Sequence, residues 1–134
     1  MLGIFNRSTL PALEQTAMFA QRRHNVLAGN MANIDTPGYQ ARDLSTQDFQ
    51  TALAEAIEAV KHPSPGYGQS DPSAIDPMEG PRHAMENLLY HDGSAVNLER
   101  QVTEISKNQS LHNTAIALMR NQFATLRAAI SERV

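Results

Sequence analysis

The stretch Leu98-Glu-Arg-Gln-Val102-Thr-Glu-Ile105-Ser-Lys-Asn-Gln109-Ser-Leu111-His112-Asn-Thr-Ala115-Ile116-Ala-Leu118-Met119-Arg-Asn-Gln-Phe123-Ala-Thr-Leu126-Arg-Ala-Ala129-Ile130 decides the fold. Steps of four and three from Leu98 reach Val102, Ile105, Gln109, His112, Ile116, Met119, Phe123, Leu126 and Ile130, and eight of these ten positions are apolar. That alternation lays one stripe along a helix, in the manner of a coiled-coil seam. A second row, Leu111, Ala115, Leu118 and Ala129, widens the stripe and asks for more than one neighbour. Asn97 suits the cap and Glu99 the first turn, where the helix dipole favours a carboxylate. The helix would be roughly 50 Å long at ~1.5 Å per residue.

A matching seam stands near the other end. Steps of three and four from Leu10 land on Leu13, Ala17, Ala20, His24, Leu27, Met31 and Ile34. Ser8 or Thr9 supplies a cap, and Pro11 fits the first turn, where its missing N–H costs nothing. Between the two helices the pattern changes. Asp48 to Lys61 predicts a short helix capped by Asp48, with Phe49, Leu53, Ala56, Ile57 and Val60 on one side. His62 to Arg82 holds five prolines and three glycines and reads as a linker. Ala84 to Tyr90 predicts one or two further helical turns, and His91-Asp-Gly-Ser94 a turn. The expected fold is mainly α: long N- and C-terminal amphipathic helices packed as a coiled-coil-like layer, with an irregular Pro/Gly-rich middle. It reads as a single domain over 1–134, divided at 1–34, 35–96 and 97–134.

Bulk properties agree with long helices. The chain has 134 residues, 41% hydrophobic but only 5% aromatic, with no Trp. Ala, Leu, Ile and Met dominate the apolar set, as helix formers do. A net charge of −3 is too balanced for nucleic acid or an anionic membrane. With no cysteine, neither a disulfide framework nor a thiolate metal site can form. No apolar run approaches the ~18 residues of a membrane span. The opening Met1-Leu-Gly-Ile-Phe-Asn-Arg7 lacks the basic segment and apolar core of a secretory signal, so any export is expected to proceed without cleavage.

Candidate chemical sites are weak. His24 and His112 lie on the two seams, where a polar residue more often fixes register than binds metal. Asp71, Asp76 and Glu79 lack the alternating spacing and central Gly of a calcium loop. No phosphate loop, nucleophile elbow or Cys/His dyad is present. No catalytic residue, cofactor, metal, nucleic acid or small-molecule substrate is expected.

One segment carries a resemblance. Asn30-Met-Ala32-Asn33-Ile-Asp-Thr36-Pro37-Gly38-Tyr39 is similar to the signature of the flagellar rod, hook and hook-associated proteins, a helix end followed by Asn-x-Ala-Asn-x-x-Thr-x-Gly-Tyr. Asn33 after a helix can turn left-handed, Thr36 can bond locally, and Pro37-Gly38 forces the turn. Ala41-Arg42-Asp43 after the turn, Asn121-Gln122-Phe123 and Leu126-Arg127-Ala128-Ala129-Ile130 near the end, and the short chain resemble the proximal members of the basal-body rod family. Two departures stand beside it: Gly93-Ser-Ala-Val96 where a Gly-Asn-Asn-Val run is common, and Asn97 in place of an Asp.

The resemblance implies a structural subunit of a hollow helical drive shaft in the periplasm. It implies export through the flagellar type III apparatus and partners of four kinds: other copies of itself, further rod proteins, the small adaptor FliE, and the membrane ring at the rod base. The assembly interface is expected on Leu10, Leu13, Leu27 and Met31 of the first helix. On the last helix it is expected on Leu98, Val102, Ile105, Ile116, Met119, Phe123, Leu126 and Ile130. The alternative is an adaptor or export-linked helical protein that does not polymerise.

Overall fold

The computed structural model describes residues 8–62, 76–90 and 98–131. Four helices and a two-stranded sheet follow one another as α1 (Leu10–Ala32), β1 (Arg42–Leu44), α2 (Thr46–Lys61), α3 (Glu79–Ala84), β2 (Leu88–Tyr90) and α4 (Leu98–Ser131). The two long helices stand where the stripes place them. They run antiparallel, tied by Gln122 to Thr9 at one end and Asn30 to Gln101 at the other.

α1 begins at Thr9, whose side chain makes no cap bond; instead the Leu10 N–H donates to Ser8 Oγ. It ends at Asn33, which keeps φ −109° and is not left-handed as the sequence led us to expect. The reversal falls to Gly38 at φ 75°, the one residue with positive φ among those described. Gly takes that region without Cβ strain, and so Asn33 is left free to bond through its side chain.

The middle is more ordered than its composition suggests. Asp48 does not cap α2: Ser45 does, its Oγ accepting the Asp48 N–H at 3.0 Å, with Asp48 inside the first turn. The linker reading fails from Glu79 onward, because Glu79–Ala84 forms α3 with Pro81 buried near its start. The helical turns expected at Ala84–Tyr90 are also overturned, since Leu88–Tyr90 is a strand. It pairs antiparallel with β1, Asp43 opposite Leu89. The rest of the expected linker, the turn at His91–Ser94 and the Asn97 cap lie outside the described residues.

A small core fills the angle between α1, β1, α2 and α3. Phe19, Leu44, Phe49, Ala84 and Met85 are buried together, with Val26, Ala52 and Leu53 packed against them. Phe19 and Phe49 stack with ring centroids 4.2 Å apart and planes 9° from parallel. Offset contacts of this kind add about 0.5–1.5 kcal/mol beyond area burial. The core meets α1 through Phe19 and Val26, on the row that also carries Arg23 and Asn30 to α4, so the globule and the last helix lean on adjoining parts of α1.

Candidate assembly face and polar seam

The α1–α4 seam mixes polar side chains with apolar ones. Gln101, Asn108 and Ala115 are the buried residues of α4, spaced by seven. Ile105, His112, Met119 and Leu126 are half-buried beside them. One row of the expected stripe therefore faces α1, apart from Leu98. The other row, which begins at Val102, is displaced by one residue, and Gln101 and Asn108 take its inward place. One residue is a turn of about 100° on a helix, enough to carry an apolar side chain from contact to solvent.

The displacement has a chemical cause on α1. Arg23 and Asn30 are buried there and must be satisfied. Arg23 Nε and Nη2 donate to the two oxygens of Asp43 at 2.8 and 2.7 Å, a two-pronged contact. The same Nη2 donates to Glu104 Oε2 at 2.9 Å. Asp43, chiefly through these hydrogen bonds, raises the Arg23 guanidinium above its ordinary range, against the desolvation that lowers it. Glu104 is held below the usual carboxylate range, first by the Lys107 ammonium at 3.0 Å and then by Arg23. Farther along, Asn108 Nδ2 donates to the main-chain oxygen of Ala20 at 2.6 Å.

Asn30, with no exposure at all, is the pivot of the motif. Its Oδ1 accepts from the Arg42 N–H at 3.0 Å and the Tyr39 hydroxyl at 3.2 Å. Its Nδ2 donates to the Arg42 carbonyl at 2.6 Å and, more weakly, to Gln101 Oε1 at 3.4 Å. One amide thus holds the turn, the start of β1 and α4 against the end of α1. Asn33 Nδ2 donates to the Gly29 carbonyl at 2.8 Å, while Thr36 Oγ1 reaches Asn33 Oδ1 at 3.5 Å. Pro37 and Gly38 are exposed at the tip, Ala32 is exposed at the helix end, and the Arg42 guanidinium sits 6.0 Å from the Tyr39 ring centre.

The displaced row leaves apolar surface uncovered. On α4, Leu98 is 52% exposed, Val102 48%, Leu118 47%, Phe123 52% and Ile130 72%. Leu111 is exposed as well, while Ile116 is half-buried. On α1, by contrast, Leu10 and Leu27 are buried within the chain, and Leu13 and Met31 are half-buried. The residues named from sequence as one interface therefore divide into an inner set and an outer set.

Other candidate groups are spoken for. Asp76 accepts from the Met78 N–H and from Arg82, and Glu79 lies 3.6 Å from His83. His24 and His112 are both half-buried, with no third metal-binding side chain gathered near them among the described residues. Sequence reasoning missed Gln15, Phe19, Arg23 and Asn108 as buried groups. Gln15, Phe19, Arg23, Val26 and Asn30 themselves repeat at steps of four and three, the trace of a second face on α1.

Comparison with known proteins fits this geometry. Residues 12–40, which span most of α1 and the turn that Asn30 holds, match the family model described as flagella basal body rod protein. The chain is 26% identical to the flagellar basal body rod protein FlgB of Bacillus subtilis over 92% of its own length and 93% of the relative's. It is 28% identical to the FlgB of Proteus mirabilis, covering 92% and 98% of the two chains. For the FlgB of Aquifex aeolicus the identity is 29%, over 86% of each. The matches to these relatives cover most of the chain, both long helices as well as the motif, and over that length it is similar to flagellar basal-body rod proteins.

Proposed function

We propose that this chain works as a structural subunit of the proximal rod, joining other rod proteins and further copies of itself through the outer face of α4. The supporting observation is the division of α4: a polar inner side spent on α1, and Leu98, Val102, Leu118, Phe123 and Ile130 left open along the helix. Large side chains left in water forgo about 1.5–3 kcal/mol each of burial, and a run of them along one helix suits packing beside other helices. Within that reading the whole chain acts as one unit in the periplasmic rod, reached by type III export. The adaptor FliE and the membrane ring are its neighbours at the base. The role in this reading is mechanical: the buried Arg23 is spent on Asp43 and Glu104, and Asn30 on the turn, β1 and α4.

The test is incorporation. Phe123→Asp and Ile130→Asp alter side chains that α1 does not cover. The purified variants should keep the helix content and melting temperature of the parent chain, yet be missing from isolated basal bodies. Normal incorporation of both would remove the outer face of α4 from the assembly interface. A variant that is missing because it unfolds shows itself in the melt.

A further inference from the structure

Two uncovered apolar surfaces lie at opposite ends of the α1–α4 pair. The first is β2. It pairs with β1, and its other edge meets no strand among the described residues. Leu88, Leu89 and Tyr90 are all exposed, Tyr90 by 63%, although side chains alternate between the two faces of a strand. The second is a stripe on α4. Ile116, Arg120, Phe123, Arg127 and Ile130 follow one another by four and three residues, so apolar and basic side chains alternate along one flank of the helix. Phe123, Ile130 and both arginines stand exposed. Charge separates the two surfaces as well. From Ile105 to Ser131, α4 carries Lys107, Arg120 and Arg127 and no acid. The elements around β2, residues 42–62 and 76–90, carry seven acidic side chains against three basic ones, a net charge of −4. Glu86, two residues before β2, is exposed.

We propose, resting on the reading of this chain as a rod subunit, that the Phe123 stripe of one copy docks on the Leu88–Tyr90 strand of the next. Apolar side chains then meet apolar ones, and the two arginines face the acidic side that carries Glu86. The opposite charge of the two surfaces selects a second copy as the occupant. Distance selects it too, because one chain cannot bring its own two surfaces together. β2 is tied through Arg42 to Asn30, and Asn30 to Gln101. Phe123 stands 22 residues beyond Gln101 on α4, roughly 33 Å at ~1.5 Å per residue. A contact between unlike surfaces at opposite ends is head-to-tail. Each copy that docks presents a fresh surface to the next, which builds an open helix where a self-matching surface would close a pair. The contact is also small. Three large side chains a side fall well short of the roughly 20–30 residues a side of a stable complex. It is therefore weak between two separate copies and gains strength where several neighbours hold one copy at once.

The absence of cysteine makes the test clean. The full chain carrying Tyr90→Cys and Phe123→Cys, recovered in basal bodies and mildly oxidised, should give a ladder of cross-linked copies. The yield should be at least tenfold above that of Tyr90→Cys with Thr125→Cys, which lies about 200° around the helix from Phe123. Neither Tyr90→Cys nor Phe123→Cys alone should give a dimer. Equal yields from the two pairs, or none from either, overturn the contact while the chain is still in the rod, and so leave the subunit reading standing. A dimer through Tyr90→Cys alone assigns β2 to a self-matching contact and overturns it as well. A second measurement needs no cysteine. Arg120→Glu with Arg127→Glu should lower incorporation about tenfold at an unchanged melting temperature, and adding Glu86→Arg should recover part of it. Unchanged incorporation of the double variant, or no recovery in the triple one, overturns the charge match between the two surfaces.

Discussion

Asn108 of α4 gives a hydrogen bond to the main-chain oxygen of Ala20 across 2.6 Å, at a seam position where two packed helices usually set an aliphatic side chain. A bond to the backbone fixes how far one helix slides along the other, since a slip of one residue takes the acceptor out of reach. Arg23–Glu104 and Asn30–Gln101 act in the same sense farther along the pair, toward the start of α4 and the end of α1. Together they trade apolar contact inside the chain for a defined register, a known use of polar residues between helices.

Arg23 carries the largest share of that trade. Replacing it with Met keeps bulk but leaves Asp43 and Glu104 without their guanidinium. The expected loss is about 1.5–3 kcal/mol, the range for hydrogen bonds to charged groups, read as a lower urea midpoint at neutral pH. Arg23→Lys should recover only part of it, because one ammonium cannot reproduce the two-pronged contact.

Acid should weaken the same link in a predictable direction. The folded state holds Glu104 below the usual carboxylate range through Lys107 and then Arg23. A depressed folded value means the stabilisation is complete above the ordinary glutamate value of about 4.3. It then fades as pH falls through the lower folded value. Urea midpoints of the parent chain and of Glu104→Gln should therefore differ at pH 7 and converge toward pH 3. A constant gap across that interval would show that the charge of Glu104 contributes nothing.

Asn30 can be tested by which of its bonds is removed. Asn30→Asp keeps the two acceptor contacts to Arg42 N–H and the Tyr39 hydroxyl but loses both donations. Losing the donation to the Arg42 carbonyl and placing a carboxylate at a buried position should together cost about 1–3 kcal/mol. Tyr39→Phe removes one contact from an oxygen that keeps another, and about 0.5–1.5 kcal/mol is expected. Equal losses from the two variants in thermal unfolding would contradict the pivot described for Asn30.

Two glycines should respond with opposite sign. A Cβ at Gly38 meets nothing within 4 Å, yet its φ of 75° strains any L side chain. Gly38→Ala should destabilise by about 1–2 kcal/mol. Gly29 lies inside α1, also with nothing within 4 Å of an added Cβ. Gly29→Ala should stabilise by about 0.5–1 kcal/mol. Melting temperatures of the two purified variants decide it.

The long helices were legible because their apolar spacing runs for six turns or more, and the motif was legible because its residue types are unusual in combination. The register of α4 was only half legible. A hydrophobic stripe locates the greasy side of a helix, but here the partner presents Asn30, which meets Gln101, Arg23, which meets Glu104, and the main-chain oxygen of Ala20, which takes Asn108, and polar residues of α4 turn inward to reach them. The strands escaped notice for another reason. Arg42–Leu44 and Leu88–Tyr90 are three residues each, too short to show alternation, and each depends on a partner far away in sequence. Asn30 stood out in the motif, yet nothing in its spacing told that one amide would hold three separate segments.

The Arg23 contacts also order events in time. Asp43 lies 20 positions from Arg23, and Glu104 lies 81. Bringing together the ends of the longer span costs about 1.2 kcal/mol more entropy, at ~0.6 kcal/mol for each doubling of length. In an unfolded chain the arginine therefore meets the aspartate more often than the glutamate. A chain threading out from its N-terminus can close the nearer contact before the last helix has emerged. Glu104 then arrives at a guanidinium already held in place, so the late helix docks onto a prepared socket and does not have to search for one.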